Sequence, residues 1–325
     1  TFQFWRRAAH DVEGSDVPLL VRGNHTTPGN IIPRGFLRVL NRGVSYDLGP
    51  RQSGRLQLAF QIASSDNPLT PRVWVNRHWQ QAFGEGLVRT PNNFGNGGSP
   101  PTHPRLLDYL ARRLVASGWS TKTVLREILL TDAFRRSSQP SSGVARLDPR
   151  NLFFSFYNRR RLEAEAIRDS LLAVAGVLKP DMYGPSISIG HARKEVKDEP
   201  KSWRRSIYLQ AHRSAKHPTL SLFDPPDYSQ SVGARTTGAT LNGALFALNA
   251  PLVWDLAGHL AERVRAGSGD ELSAQVKHLY LLTLSRPPRA EEMEIGLKLL
   301  REKDNDGLRH YCHLVLGLNE MIYVN

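Results

Sequence analysis

The sequence predicts a mainly α protein: an irregular helical domain with long ordered loops and at most a small β element. Three observations carry this. Apolar residues recur at helical spacing in segment after segment, as in Leu106, Leu107, Leu110, Leu114 and Val115. The segments are bracketed by helix punctuation, with a hydroxyl or Pro at the start and Gly at the end. Between them lie Gly-, Asn- and Pro-rich stretches such as Leu87 to Pro101, whose composition is that of turns and loops.

Residues 1–50 read as an irregular arm, the tail of a missing upstream region. It has one short strand over Asp16 to Val21, then turn chemistry in RGNHTTPGNIIPRG. Residues 51–325 read as one helical domain. Leu56, Phe60 and Ala63 share a face of its first, short helix. Thr70-Pro71 opens a helix that runs to about Phe83, where Gly84 and Gly86 stop it. His103-Pro104 opens the next, which ends at Gly118. Ser120 caps a third, carrying Leu125, Ile128 and Leu129 and continuing toward Phe134. Ser137 to Arg146 is a polar linker. Ala164, Ile167, Leu171 and Val174 place a helix over Arg160 to Ala175. Residues 177–202 are a charged insertion expected to be loop, and Ser206 to Ala211 has the composition of a strand. Pro251 divides helices over Thr240 to Asn249 and Pro251 to Arg265. Helices over Glu271 to Leu284, Arg289 to Glu302 and Gly307 to Tyr323 complete the array, with Pro287-Pro288 as a break. The acids Glu291 and Glu292 after that break suit the first turn of a helix. No tandem repeat or long heptad pattern is present.

Composition narrows the function classes. Apolar residues make up 40% and charged residues 22% of 325, the balance of a globular chain with room for a sizeable core. The apolar runs fall short of the ~18 residues of a membrane span, so no transmembrane segment is expected. Thr1 to His10 carries charges where the apolar core of a secretion signal would lie. A chain that begins with Thr reads as a fragment or processed product. The single cysteine, Cys312, excludes an internal disulfide framework and a Cys-based zinc or haem site within the chain. Set among HYCHLVLGL, it reads as a small buried apolar residue ahead of a reactive thiol. The net charge of +13 attracts polyanions, acidic polysaccharide and nucleic acid among them. The bases are scattered, with only short clusters at Arg159-Arg160-Arg161 and Arg204-Arg205, and no nucleic-acid-binding motif accompanies them. A solubilising positive surface is therefore preferred to a nucleic-acid site. Nucleophile elbow, P-loop, dinucleotide fingerprint and HExxH are all missing.

A series of motifs occurs in a fixed order. Leu20-Val21-Arg22-Gly23-Asn24 precedes NPLTPRVWVNRHWQQAFGEGLVRTPNNFG and PPTHPRLLDYLA. GWSTKTVLREILLTDAFRRSS, DPRNLFFSF, RRRLEAEAIRDSLLAVAG and RRSIYLQAHR follow, then LFDPPD, NAPLVWDLAGHLAERV and LYLLTLSRPPRAEE. From about Leu19 onward the chain resembles the carboxy-terminal domain of unknown function of the large planctomycete cytochrome-c-associated proteins. The resemblance implies export, hence an extracytoplasmic (periplasmic or cell-surface) location. It also implies upstream domains of the same polypeptide as partners, one of them a c-type haem module. This chain has no CxxCH motif, so no cofactor is expected within it. The sequence departs from the usual wording at His25, His78 and Asn242-Gly243, which removes both histidines as shared functional residues.

Three constellations could carry chemistry. On the Thr70–Phe83 helix and the loop after it, Asn76, Arg77, Asn92, Asn93 and His103 could bind a carboxylate, a sulfate or sugar hydroxyls. The plainer alternative has Asn76 and Arg77 tying down loop backbone while Trp79 and Phe83 fill core. On the next candidate helix, Arg161, Glu163, Glu165, Arg168 and Asp169 are spaced for i,i+4 and i,i+3 ion pairs. Arg161 and Arg168 are candidate ligand-binding residues, and Glu165 and Asp169 would sit side by side as an acid/base pair or hold a cation, were the interleaved arginines not placed to neutralise them. The third is Tyr208, His212, Arg213, His217 and Asp224. Here His212, His217 and Asp224 form a metal set only if three distant ligands converge, and turn or cap roles serve them equally well. No metal is therefore assigned.

The leading expectation is a non-catalytic module that docks a partner domain or binds an anionic glycan. One alternative is an enzyme of unassigned hydrolytic class, with Asn76, His103, Glu165, Asp169 and His217 meeting in one pocket. The other is a nucleic-acid or other polyanion binder.

Overall fold

The structure, a computed structural model, describes residues 14–41, 48–49, 52–188, 198–212, 216–235, 241–302 and 306–324. Arg213 and the Thr1 to His10 stretch lie outside them. The chain folds as two compact units, Thr1–Phe134 and Arg135–Asn325. The division falls just ahead of the polar stretch from Ser137. The fold is mainly α, with two small two-stranded sheets among the described residues.

In the first unit β1 (Val17–Leu20) runs antiparallel to β2 (Pro28–Ile32), pairing Val17 with Ile32 and Pro18 with Ile31. The short helices α1 (Arg38–Asn41) and α2 (Arg55–Ile62) follow. The unit's core is built by α3 (Thr70–Phe83), α4 (Pro104–Ala116) and α5 (Thr121–Leu129), which pack on one another. Their buried residues fall at helical spacing: Val75, Trp79, Ala82 and Phe83 on α3, then Leu107, Leu110, Ala111 and Leu114 on α4. Gly84, at φ 83°, supplies the left-handed residue that ends α3. Ser120 caps α5 as its sequence position predicts, its side chain accepting from Thr123 N.

The second unit opens with α6 (Ser142–Leu147), β3 (Arg160–Arg161) and α7 (Ala164–Val174). The short α8 (Pro218–Ser221) leads into α9 (Leu241–Asn249), α10 (Pro251–Ser268), α11 (Leu272–Leu284), α12 (Ala290–Glu302) and α13 (Gly307–Leu316). The chain ends in β4 (Tyr323–Val324), antiparallel to β3. Helix α10 is the axis of the core. Val253, Leu256, Ala257, Leu260, Ala261 and Val264 form one buried stripe, and α7, α9, α11 and α13 all pack on this helix. Each large apolar side chain buried this way contributes ~1.5–3 kcal/mol. Among the described residues no single helix is long and apolar enough to cross a membrane.

The junction between α11 and α12 is held by charge. Arg286 grips both oxygens of Glu292 at 2.7 and 2.8 Å and both of Glu320 at 3.0 and 2.6 Å. Its hydrogen bonds pull the Glu292 carboxyl down to about 2, against the effect of burial. Glu292 also accepts from Arg289 N at 2.7 Å, capping the new helix. Cys312 is fully buried in the core, where burial pushes its thiol up to about 12.

Three local expectations are corrected. The helix expected from Arg160 starts only at Ala164, because Arg160 and Arg161 are extended and pair with Val324 and Tyr323. The strand expected over Ser206 to Ala211 is instead a 3-10 turn, Ser206–Tyr208. The amide of Ser206 is taken by a carboxylate, Asp169 Oδ1 at 2.8 Å, rather than by a neighbouring strand. The last helix stops at Leu316, since the chain must turn to bring Tyr323 back to β3.

Candidate functional site

In the first unit the long loop after α3 is fastened to that helix by one side chain. Asn76 is fully buried. Its Oδ1 accepts from Val88 N at 2.8 Å and its Nδ2 donates to Val88 O at 3.0 Å. The amide thus pairs with one residue of the loop as a strand neighbour would. Glycine is needed at position 86, where a Cβ would stand 2.6 Å from Val88 O and 2.7 Å from Asn76 Nδ2. Trp79 and Phe83 are buried and stack at 4.3 Å between ring centroids. Arg77 is exposed and reaches Asn92 Oδ1 at 3.4 Å. Asn93 is exposed too, and closes its own turn by accepting from Gly95 N. His103 Nδ1 lies 3.0 Å from Thr102 Oγ1, and its side chain does not cap α4.

The second unit gathers a larger polar centre. Arg168, on α7, is 1% exposed, and all five of its N–H groups are matched. Nε and Nη2 make a fork to the two oxygens of Asp198 at 2.7 and 2.8 Å. Nη2 also donates to Ser202 O at 2.9 Å, and Nη1 donates to Arg204 O and Ser206 Oγ, both at 3.1 Å. Asp198 in turn accepts from Ser202 Oγ and Thr219 Oγ1, both at 3.0 Å. Its burial works to raise the carboxyl. The Arg168 bonds and charge, with help from His217 and Thr219, outweigh that and hold it below the ordinary carboxylate range. A buried charge is tolerated when it is paired and its remaining hydrogen-bonding groups are satisfied.

His217 borders this centre, 2% exposed, with Nε2 3.9 Å from Asp198 Oδ2. Burial lowers it to about 4, and the Arg168 charge adds to that while Asp198 opposes it. The ring is therefore neutral near pH 7, and its contact with Asp198 is not an ion pair there. Among the described residues neither ring nitrogen has a hydrogen-bond partner. A base and a carboxylate stand together, but no hydroxyl nucleophile among the described residues is within hydrogen-bond reach of the ring.

Asp198 and Thr219 also line a cleft of about 840 Å³ whose apolar wall includes Trp203, Leu222, Phe246 and Leu252. Its other charged residues include Glu199, Asp255 and Glu262. Arg309 is engaged with Trp254, donating to its carbonyl and stacking over its ring at 4.3 Å. The cleft is acid-lined within a basic chain.

The remaining predicted residues fall as follows. Glu165 pairs with Arg235 at 2.5 Å, and Asp169 accepts from the amide and hydroxyl of Ser206. Arg161 lies on β3 and reaches Phe223 O and Asp224, so the expected Arg161–Glu165 helix pair does not form. The sequence thus named Arg168, Asp169 and His217, which the structure gathers around Asp198 and Ser206. His212, His217 and Asp224 do not converge, and no three His, Cys, Asp or Glu side chains among the described residues group as metal ligands. Asn76 and His103 belong to the first unit, while Glu165, Asp169 and His217 belong to the second. Asp198 was missed. It sits inside the charged insertion, where nothing in the local sequence pattern separates it from the other charged residues.

The chain belongs to the PSD1 family, described as protein of unknown function (DUF1553), whose model matches residues 54–300. Neither a curated protein nor a solved structure matches it.

Proposed function

We propose that this chain is a non-catalytic, extracytoplasmic module of a larger cytochrome-c-associated protein, and that it docks a neighbouring domain of the same polypeptide through its apolar amino-terminal arm together with α2. The observation that carries this is exposure. On the β1–β2 hairpin Val17 is 63%, Leu19 58% and Ile31 69% exposed, and on α2 Leu56 is 61% and Phe60 65% exposed. A two-stranded hairpin is marginal in water by itself. Large apolar surface left open on a soluble fold marks a place where another protein sits.

Two further features support the reading. The polar side chains with the most catalytic promise are engaged in fastening the chain, Asn76 to Val88, Arg168 to Asp198 and Asp169 to Ser206. The acid-lined cleft repels a polyanion, which places docking ahead of anionic-glycan binding there.

The test is calorimetric titration of this chain with the separately produced upstream part of its polypeptide. A saturable complex is expected. Ile31→Asp combined with Phe60→Asp should weaken it by about tenfold or more, given ~1.5–3 kcal/mol for each buried apolar side chain. Helical content should stay unchanged. Absence of a complex, or an undiminished one in the double variant, defeats the reading. Retention on dextran sulfate without such a complex would favour the polyanion alternative.

A further inference from the structure

We infer that a cavity under Arg161 is a binding site for a small organic carboxylate with an apolar body. The cavity lies in the second unit and has a volume of about 210 Å³. Its walls include Ile167 and Leu171 of α7, Phe246 of α9, Val253 of α10, Leu316 of α13 and Ile322. Arg161 is the one charged residue among those described that line it.

Arg161 itself is under-satisfied. Its side chain is 4% exposed. The hydrogen bonds it shows both leave from Nη2, to Phe223 O at 3.2 Å and to Asp224 Oδ2 at 3.4 Å. Nε is buried and has no partner among the described residues. The one counter-charge paired with it among the described residues is weakly placed, since Asp224 is 39% exposed and meets the guanidinium at one long contact. A buried guanidinium with unfilled donors beside an apolar cavity lacks an acceptor of opposite charge. A carboxylate supplies it, because its two oxygens match the guanidinium fork. The apolar walls then favour a hydrocarbon body over a hydrated sugar. An apolar cavity of about 150 Å³ holds benzene, with its six carbons, so this space suits roughly eight non-hydrogen atoms. That is the size of a short fatty acid or a small aromatic acid.

Hexanoate is the probe, with hexanol and hexylamine as the uncharged and cationic comparisons. Titration of the full chain, followed by calorimetry and by ligand-observed NMR, should show saturable hexanoate binding. Hexanol should bind about tenfold or more weakly, the worth of a charge-assisted hydrogen bond, and hexylamine not at all. Arg161→Met should lose the preference for hexanoate over hexanol. A second variant, Ala247→Phe, fills the cavity from the α9 side and leaves Arg161 in place, and it should abolish binding of both. Circular dichroism and melting confirm that each variant is folded, so either one suffices if the other fails to fold. The inference is overturned if hexanoate does not saturate the parent chain, if the three probes bind alike, or if a folded variant binds hexanoate as the parent does. It stands apart from the docking reading, because Arg161 is in the second unit and the apolar arm is in the first.

Discussion

Arg168 and Arg161 are both almost completely buried, lie seven residues apart, and differ in everything that decides what a buried cation is for. Arg168 has all five donors matched and a bidentate partner, Asp198, that is itself 4% exposed. Arg161 shows two long bonds from one nitrogen, an idle Nε and a partner in contact with solvent. The first arrangement leaves no valence for a ligand and fastens the segments around Asp198, Ser202 and Ser206 to α7. The second leaves valence beside an apolar cavity. Burial alone therefore does not separate a scaffold arginine from a binding one. The count of satisfied donors does.

The strongest way to break the comparison is Arg168→Met. It strands Asp198 as a buried carboxylate, and loss of one partner of such a pair costs about 3–5 kcal/mol. Urea unfolding followed by circular dichroism reads this. Arg168→Met with Asp198→Leu should recover much of the loss, because the uncompensated charge is then gone. No recovery would mean that Arg168 acts mainly through the carbonyls of Ser202 and Arg204.

His217 sharpens the same region through pH. Its folded value of about 4 lies below the ordinary 6.5, so between those values the unfolded chain binds the extra proton. Its contribution to stability is complete above about pH 6.5 and is lost as pH falls through about 4, by roughly 3 kcal/mol at most. His217→Leu should flatten this part of the stability–pH curve, while the Asp198 limb at lower pH remains. An unchanged slope between pH 6.5 and 4 would show that the ring is hydrated in solution.

Asn76→Ala probes the neutral counterpart in the first unit. Val88 would keep a buried N–H and C=O without partners, a cost of about 1–3 kcal/mol. It should carry no pH dependence between 4 and 7, in contrast to the His217 effect. The smallest stability change is expected for Arg161→Met, within about 1 kcal/mol, since it removes an incompletely satisfied charge. A loss as large as that of Arg168→Met would erase the distinction between the two arginines.

Much of the helical scaffold was legible in the sequence, residue by residue. Thr70-Pro71 and Gly84 mark the ends of α3, Ser120 caps α5, Pro251 separates α9 from α10, and Glu292 sits in the first turn of α12. The readings that failed did so where the partner was far along the chain. Arg160 and Arg161 precede a strongly helical pattern, yet the carboxy-terminal strand claims them from more than 160 residues away, 323 − 161 being 162. Ser206 has the neighbours of a strand residue, but Asp169 takes its amide. In the site, Arg168 and Asp169 stood out by their helical ion-pair spacing and His217 as one of a possible metal set, while Asp198 was hidden among charges of the same kind.

By itself the sequence determined the family, the mainly helical class and most helix boundaries, because helix periodicity and caps act over a few neighbouring residues. Only the tertiary structure decided which buried polar group meets which. Those pairings span 30 residues for Arg168 and Asp198 and 62 for Arg161 and Phe223, and a bond closed over such a distance leaves no periodic trace in the chain.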